Sequence, residues 1–252
     1  MPDLAEHFEE LIRRASSQLP AEIEQKLREA AATEDATAAA TLNQMLDNAA
    51  QAREASTPIC QDTGTPIFYV EYGPDYRMKT ITDAITTAAQ EATRKYYLRP
   101  NAVHPVSGKN SGDNTGEGFP YIHFHERDDE GLVVRMMLKG GGSENVSAQY
   151  RLPDARIGAG RDLEGVRRCV IDAIYNAQGK GCAPGTVGVG VGGDRASSYV
   201  VAKEQFFRPL DDENPDPELA GLERRLYGEL NELGIGPMGF GGKTTVLGVK
   251  IG

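Results

Sequence analysis

Cysteine is scarce: three residues in 252, an odd number with no CxxC pair. That excludes a disulfide framework and points to a reduced, cytoplasmic setting. Basic charge is also short. Lys and Arg number 27 against 37 Asp and Glu, a net charge of −10, so the basic face of a general nucleic-acid binder is missing. No apolar run approaches the ~20 residues of a membrane span. The opening MPDLAEHFEELIRRAS reads as an acidic amphipathic helix, without the basic flank and apolar stretch of a leader. Neither nucleic acid nor membrane is therefore expected as a partner. There is no internal repeat.

Glycine is what the chain has in excess: 29 residues, well above the usual ~7%. With no collagen period and no low-complexity tract, the surplus belongs in tight turns and ligand loops. Residues 1–55 read as helical. Leu4, Phe8, Leu11 and Ile12, then Ile23, Leu27 and Ala30, then Leu42, Met45, Leu46 and Ala49 recur at helical spacing. From Ser56 the character changes, and STPICQDTGTP runs into an alternating strand at Ile67–Tyr72. A helix over about 81–98 follows, then a polar stretch of some twenty residues, LRPNAVHPVSGKNSGDNTGEGFP. Loops of that length are often functional. Strands at Tyr121–His125 and Leu132–Leu138, joined by ERDDEG, predict a hairpin. Helices are expected at about 163–177, 195–207 and 217–233, with an exposed link LDDENPDPE at 210–218 and a closing glycine loop and strand. Together these predict an α+β fold: N-terminal helices packed on a mixed or antiparallel sheet, with active-site loops at one edge, in a single domain over 1–252.

Two glycine patterns invite a nucleotide reading, and both are incomplete. Gly188, Gly190 and Gly193 spell GxGxxG after a strand, but no acidic residue follows at the tip of a second strand. The alternative is a strand whose glycines let a helix approach. Gly242-Lys243-Thr244 resembles the end of a P-loop, but Pro237 stands where its first glycine belongs and no helix pattern follows. His123 and His125 share one strand face, a spacing that can bind metal. With no third ligand nearby, a polar strand face is the simpler reading. Cys169 sits mid-helix beside Val170 and Ile171, as a buried small hydrophobe does. Cys60 and Cys182 lie in loops ringed by Gly, Pro and polar residues and fit that role poorly; such thiolates suit zinc or iron–sulfur clusters.

Six segments occur together in order: ICQDTG (59–64), RPNAVHP (99–105), NSGDN (110–114), KGGGSEN (139–145), GCAPG with GVGVGG (181–193) and GFGGKTTVLGVKI (239–251). They resemble the iron–sulfur hydro-lyases, class I fumarase and L(+)-tartrate dehydratase, in the alpha subunit or N-terminal domain. The resemblance implies a [4Fe–4S] cluster held by three cysteines, with one iron left open as a Lewis acid. It implies Cys60 and Cys182 as cluster ligands and Asp62 as the catalytic carboxyl handling the substrate hydroxyl proton. It implies Gln61, Arg99 and Gly142 as substrate contacts. Arg99 would grip a carboxylate, and Gly140–Gly142 would offer backbone N–H groups at a helix start. It implies reversible hydration of fumarate to (S)-malate, with tartrate dehydration as the alternative. The implied partners are a four-carbon dicarboxylate, a beta subunit that completes the site, and further copies in an oligomer.

The sequence departs from the pattern in one respect. The family's third cluster cysteine follows the segment resembling GGKTTVLGVKI, and this sequence stops at Gly252. The expectation is a chain truncated there, or else a non-catalytic metal- or ligand-binding homologue lacking the third ligand. The GEGF at 116–119 reads as an insertion that alters the pocket.

Overall fold

The structure, a computed structural model, describes residues 4–252. The fold is α+β, and the chain divides into two compact units. Residues 4–19 and 47–141 belong to the first, residues 20–46 and 142–252 to the second.

The first unit contains α1 (Leu4–Ser17), β1 (Thr65–Tyr72), α4 (Met78–Arg94), β2 (Tyr121–Glu126) and β3 (Leu132–Lys139). Its sheet is mixed, in the order β2-β1-β3. The most buried strand, β1, takes the centre. It pairs parallel with β2 from Ile67 opposite Tyr121, and antiparallel with β3 from Thr65 opposite Lys139. The hairpin expected between β2 and β3 is therefore absent. The two strands flank β1 from opposite sides, because β1, inward-facing along nearly its whole length, needs a partner on each edge. The ERDDEG segment instead passes the end of β1, where Arg127 N–H donates to Tyr72 O and Gly73 N–H to Gly131 O.

Parallel β1 and β2 need a crossover that returns the chain to the starting end of the sheet, and α4 provides it. Its face Ile81, Ile85, Ala88, Ala89 and Ala92 shares a core with Phe8 and Ile12 of α1 and with Phe68 and Val70 of β1. Each fully buried isoleucine there contributes about 1.5–3 kcal/mol. The helix stops at Arg94 rather than running on to 98. Tyr96 takes a left-handed φ of 63°, and Leu98 turns into the core.

The second unit contains α2 (Ala21–Thr33), α6 (Leu163–Ala177), β4 (Gly185–Val189), α7 (Arg195–Glu204), α8 (Pro217–Glu232) and β5 (Val246–Ile251). The helix α3 (Ala36–Ala55) is divided between the units at Leu46/Asp47, and the short α5 (Gly141–Asn145) at Gly141/Gly142. Strands β4 and β5 pair in parallel. Leu222, Leu226 and Leu230 of α8 and Val166 and Val170 of α6 bury Val246, Val249 and Ile251 of β5. An aspartate starts each of the three later helices: Asp162, Asp194 and Asp216 accept bonds from the first-turn amides. The 210–218 link is largely exposed, as expected, with one exception. Asn214 is buried, donating to Glu223 and to Ile251 O.

Candidate active site

The topology of the first unit gathers loops at one end of its sheet. The segment 56–64 enters β1, the segment 99–120 enters β2, and Gly140 leaves β3. The parallel and antiparallel registers put all three junctions at the same end.

The Cys60 loop is fixed from behind. Ile59 N–H donates to Ser16 O (2.9 Å), and Asn48 Nδ2 donates to Ile59 O (2.8 Å). Thr63 Oγ1 donates to Cys60 O (3.0 Å), closing a local turn. Cys60, Gln61 and Asp62 are then presented to solvent, while Thr63 and Gly64 turn inward. Gly64 has φ +86°, and a β-carbon on it would lie 2.3 Å from the Lys139 carbonyl carbon. Only glycine permits that approach, and it brings the ICQDTG loop onto the glycines after β3. There, a β-carbon on Gly140 would stand 3.0 Å from Asp62 Oδ2, and one on Gly141 3.5 Å from it. Asp62 and the glycine turn, far apart in sequence, form one surface.

The helix expected after those glycines is only the five residues of α5, with an irregular chain beyond. A run that short has little macrodipole, so the helix-start argument for anion binding at Gly142 falls away. Gly142 itself begins the second unit.

Arg99 is exposed and makes no ion pair among the described residues. Asn114, within NSGDN, has no role that the sequence pattern alone assigns. It is fully buried, with φ 58°. Its amide makes four hydrogen bonds, to Arg99 O, Asn101 N–H, Ala102 N–H and Thr93 Oγ1. The available signal was the residue type, since Asn tolerates the left-handed region and carries both donors and acceptors. The GEGF segment closes a tight turn, with Gly116 and Phe119 exchanging backbone bonds at 3.2 and 3.1 Å.

In the second unit, Cys182 has left-handed φ 61°, ψ 54° and is exposed. Its loop is zipped to the GFGG loop: Met238 N–H donates to Ala183 O (2.8 Å), and a β-carbon on Gly179 would lie 2.3 Å from Met238 O. Cys169 is buried on α6, where burial first, then the nearby Asp154 and Asp172, pushes its thiol pKa up. Thiolates are the usual ligands of an iron–sulfur cluster. Cys60 and Cys182, exposed in loops, fit that chemistry in kind; the buried Cys169 does not. Among the described residues, no three His, Cys, Asp or Glu side chains form a metal-binding group.

The other motifs resolve as packing. A β-carbon on Gly188 would lie 2.2 Å from Ala202 O, and one on Gly190 2.1 Å from Ser198 O, so these glycines let α7 lie against β4. The α7 N-terminus is closed by Asp194 and Ser197 in a capping box, leaving a carboxylate where a phosphate would sit. His123 stacks on Tyr69 at 4.4 Å and meets Tyr121 edge-on, as part of a polar strand face. Among the described residues, no helix is long and apolar enough to cross a membrane.

A family model described as "Fumarate hydratase (Fumerase)" matches residues 5–252. A protein of Geobacillus stearothermophilus, provisionally named a class I fumarate hydratase, is 45% identical over 257 residues, covering 100% of this chain and 50% of that protein. A protein of Methanocaldococcus jannaschii, provisionally named an L(+)-tartrate dehydratase subunit alpha, is 36% identical over 248 residues, 96% of this chain and 85% of that one. The L(+)-tartrate dehydratase subunit alpha of Escherichia coli (strain K12) is 31% identical over 239 residues, 94% and 77% respectively. The chain thus spans half the length of the first relative and more than three quarters of the others.

Proposed function

Because this chain belongs to the fumarate hydratase family, we propose that it is the cluster-binding half of a hydro-lyase that adds water to fumarate to give (S)-malate, and the reverse. The observation that carries this reading is the packing of the Asp62 carboxylate on the Gly140–Gly141 turn, at the sheet end where the Cys60 and Arg99 segments also arrive.

In this reading Cys60 and Cys182 would each give a thiolate to a [4Fe–4S] cluster, with a third thiolate from outside these 252 residues. The chemistry such a group would supply is that of a Lewis acid, which would make hydroxide a tolerable leaving group. The chain's own residues do the rest. Arg99 binds one substrate carboxylate through its planar fork and sets the diacid's orientation. Gln61 and the backbone at Gly142 hydrogen-bond the substrate. Asp62 takes or returns the proton of the substrate hydroxyl, and the glycine turn beneath it fixes where its carboxylate points. The proton on the neighbouring carbon is handled by the partner, a beta subunit; relatives at 36% and 31% identity carry the name subunit alpha. Those relatives also make L(+)-tartrate dehydration the second reading. Both substrates are four-carbon diacids that Arg99 would grip alike.

The test is anaerobic iron–sulfide loading of the complete assembly, followed by assays for malate from fumarate and oxaloacetate from L(+)-tartrate. Malate formation lost on Asp62→Asn, with iron retained, supports the proposal. An iron-loaded assembly that acts on neither diacid overturns it.

A further inference from the structure

We propose that Asn114 is a positioning residue for Arg99, setting the point from which the guanidinium reaches a substrate carboxylate. This rests on the reading of Arg99 given above. Asn114 Nδ2 donates to Arg99 O at 2.8 Å and to Thr93 Oγ1 at 2.9 Å. Its Oδ1 accepts from Asn101 N–H at 2.8 Å and Ala102 N–H at 3.2 Å. An amide has two donor hydrogens and two acceptor lone pairs, so every site on this side chain is used. Three of the four bonds go to the backbone of the Arg99–Ala102 turn. The fourth goes to Thr93, in the last turn of α4.

Two other bonds reach the turn, and one of them is Ser111 N–H donating to Ala102 O at 3.0 Å. Arg99 is exposed, and Asn101 Nδ2 is buried with no hydrogen-bond partner. Asn110 adds one bond to Pro100 O from the solvent side (2.7 Å). On the other flank, Leu98 is buried in the core. The Arg99 backbone is thus clamped between a core residue and a buried amide, while its side chain stays free to bind. A long side chain on a loose turn would lose freedom when it gripped a ligand; a fixed origin removes part of that cost.

The experiment is a double-mutant cycle in the complete, loaded enzyme. Asn114→Gly removes all four bonds yet suits φ 58°, so the backbone stays unstrained. KM for fumarate is expected to rise roughly tenfold with kcat within about twofold, the signature of lost uniform binding. In an Arg99→Ala background the same substitution is expected to change KM by less than about twofold, because the group it positions is gone. Thr93→Val, which removes one of the four Asn114 bonds together with the hydroxyl's own donation to Ala89 O and Asp113 O, is expected to give a smaller rise with the same dependence on Arg99, and it decides the matter should the glycine variant fail to fold. Equal effects with and without Arg99, or a lowered Tm with KM unchanged, would overturn the proposal. Should the wild-type assembly not hydrate fumarate, the functional reading fails separately. The cycle is then read from the Kd of succinate by calorimetry, where the same non-additivity supports Asn114; absence of succinate binding to the wild type overturns both.

Discussion

The Glu34 carboxylate accepts hydrogen bonds from the backbone N–H groups of Lys243 (2.8 Å) and Thr244 (2.5 Å). The GKT segment that resembles a phosphate loop therefore already holds an anion, supplied by the residue that ends α2. Lys243 Nζ turns away to Thr33 O at 2.6 Å. Burial works to raise the Glu34 pKa, but the hydrogen bonds from Lys243 and Thr244 outweigh it, and the net shift is downward from 4.5. A carboxyl with a lowered folded pKa contributes stability above its unfolded value and loses it as pH falls through the folded value. Glu34→Gln is expected to cost about 1–3 kcal/mol at pH 7. Below pH 4.5 the gap between variant and wild type should narrow. Urea unfolding at neutral and acid pH measures both; a gap constant with pH would refute the ionic contribution.

The Asp62–Gly140 contact makes a different demand. Gly140 has an ordinary φ, so alanine there is tolerated by its own backbone but not by Asp62, whose carbonyl oxygen and carboxylate would both stand 3.0 Å from the new methyl. The Asp62 carboxyl has to move by a few tenths of an ångström or more. Misplacement on the ångström scale costs up to about a hundredfold in rate. Gly140→Ala is expected to lower kcat by roughly tenfold to a hundredfold while leaving Tm within a few degrees and iron content unchanged. Unaltered kcat would show that Asp62 orientation does not depend on the glycine turn.

The three cysteines separate by iron loading. Cys60→Ser and Cys182→Ser alter exposed loop thiols and are expected to abolish stable cluster binding while the apoprotein keeps its fold. Cys169→Ser places a hydroxyl at a buried position on α6, costing about 1–3 kcal/mol, and should leave iron content unchanged. Iron and sulfide analysis after anaerobic loading decides. Loss of iron from the Cys169 variant alone would reverse the assignment.

Much of this was legible in the sequence wherever local chemistry decided the outcome. The helices at 163–177 and 217–232 follow from an aspartate cap and an apolar stripe, both local signals. The spacing of strand and helix around Gly188 and Gly190 pointed to close packing, and the backbone contacts bear that out. Strand order was not legible. ERDDEG has hairpin composition, and nothing within it reveals that β1 lies between its two strands. In the candidate site, the loops could be picked out by composition. That Asp62 rests on Gly140, or that Asn114 ties Arg99 to α4, depends on contacts between residues 78 and 21 positions apart, which no local pattern encodes.

A buried ionic cluster closes the second unit, and its energetics differ from those of the surface pairs. Glu223 accepts from Arg208 Nη1 (2.8 Å), Asn214 Nδ2 (2.9 Å) and Ile251 N–H (2.7 Å). Arg208 also binds Asp212, and the buried Lys250 ammonium binds the same Asp212 carboxylate. The last residues of β5 are thus tied to α8 through a carboxylate whose side chain is only 8% exposed. Removing one partner of a buried pair leaves the other charge under-compensated and costs about 3–5 kcal/mol. Because Arg208 would keep Asp212, Glu223→Ala is expected near the lower bound, about 3 kcal/mol. The Glu213–Arg224 pair, at 2.7 Å, is just as short, but its side chains are 74% and 66% exposed. Glu213→Ala is therefore expected to cost less than about 1 kcal/mol. Urea midpoints of the two variants, measured side by side, test whether burial rather than distance sets the energy. Equal midpoints would mean that the cluster behaves as a solvated surface network, and that β5 is held by its pairing with β4 and its apolar packing against α8 and α6.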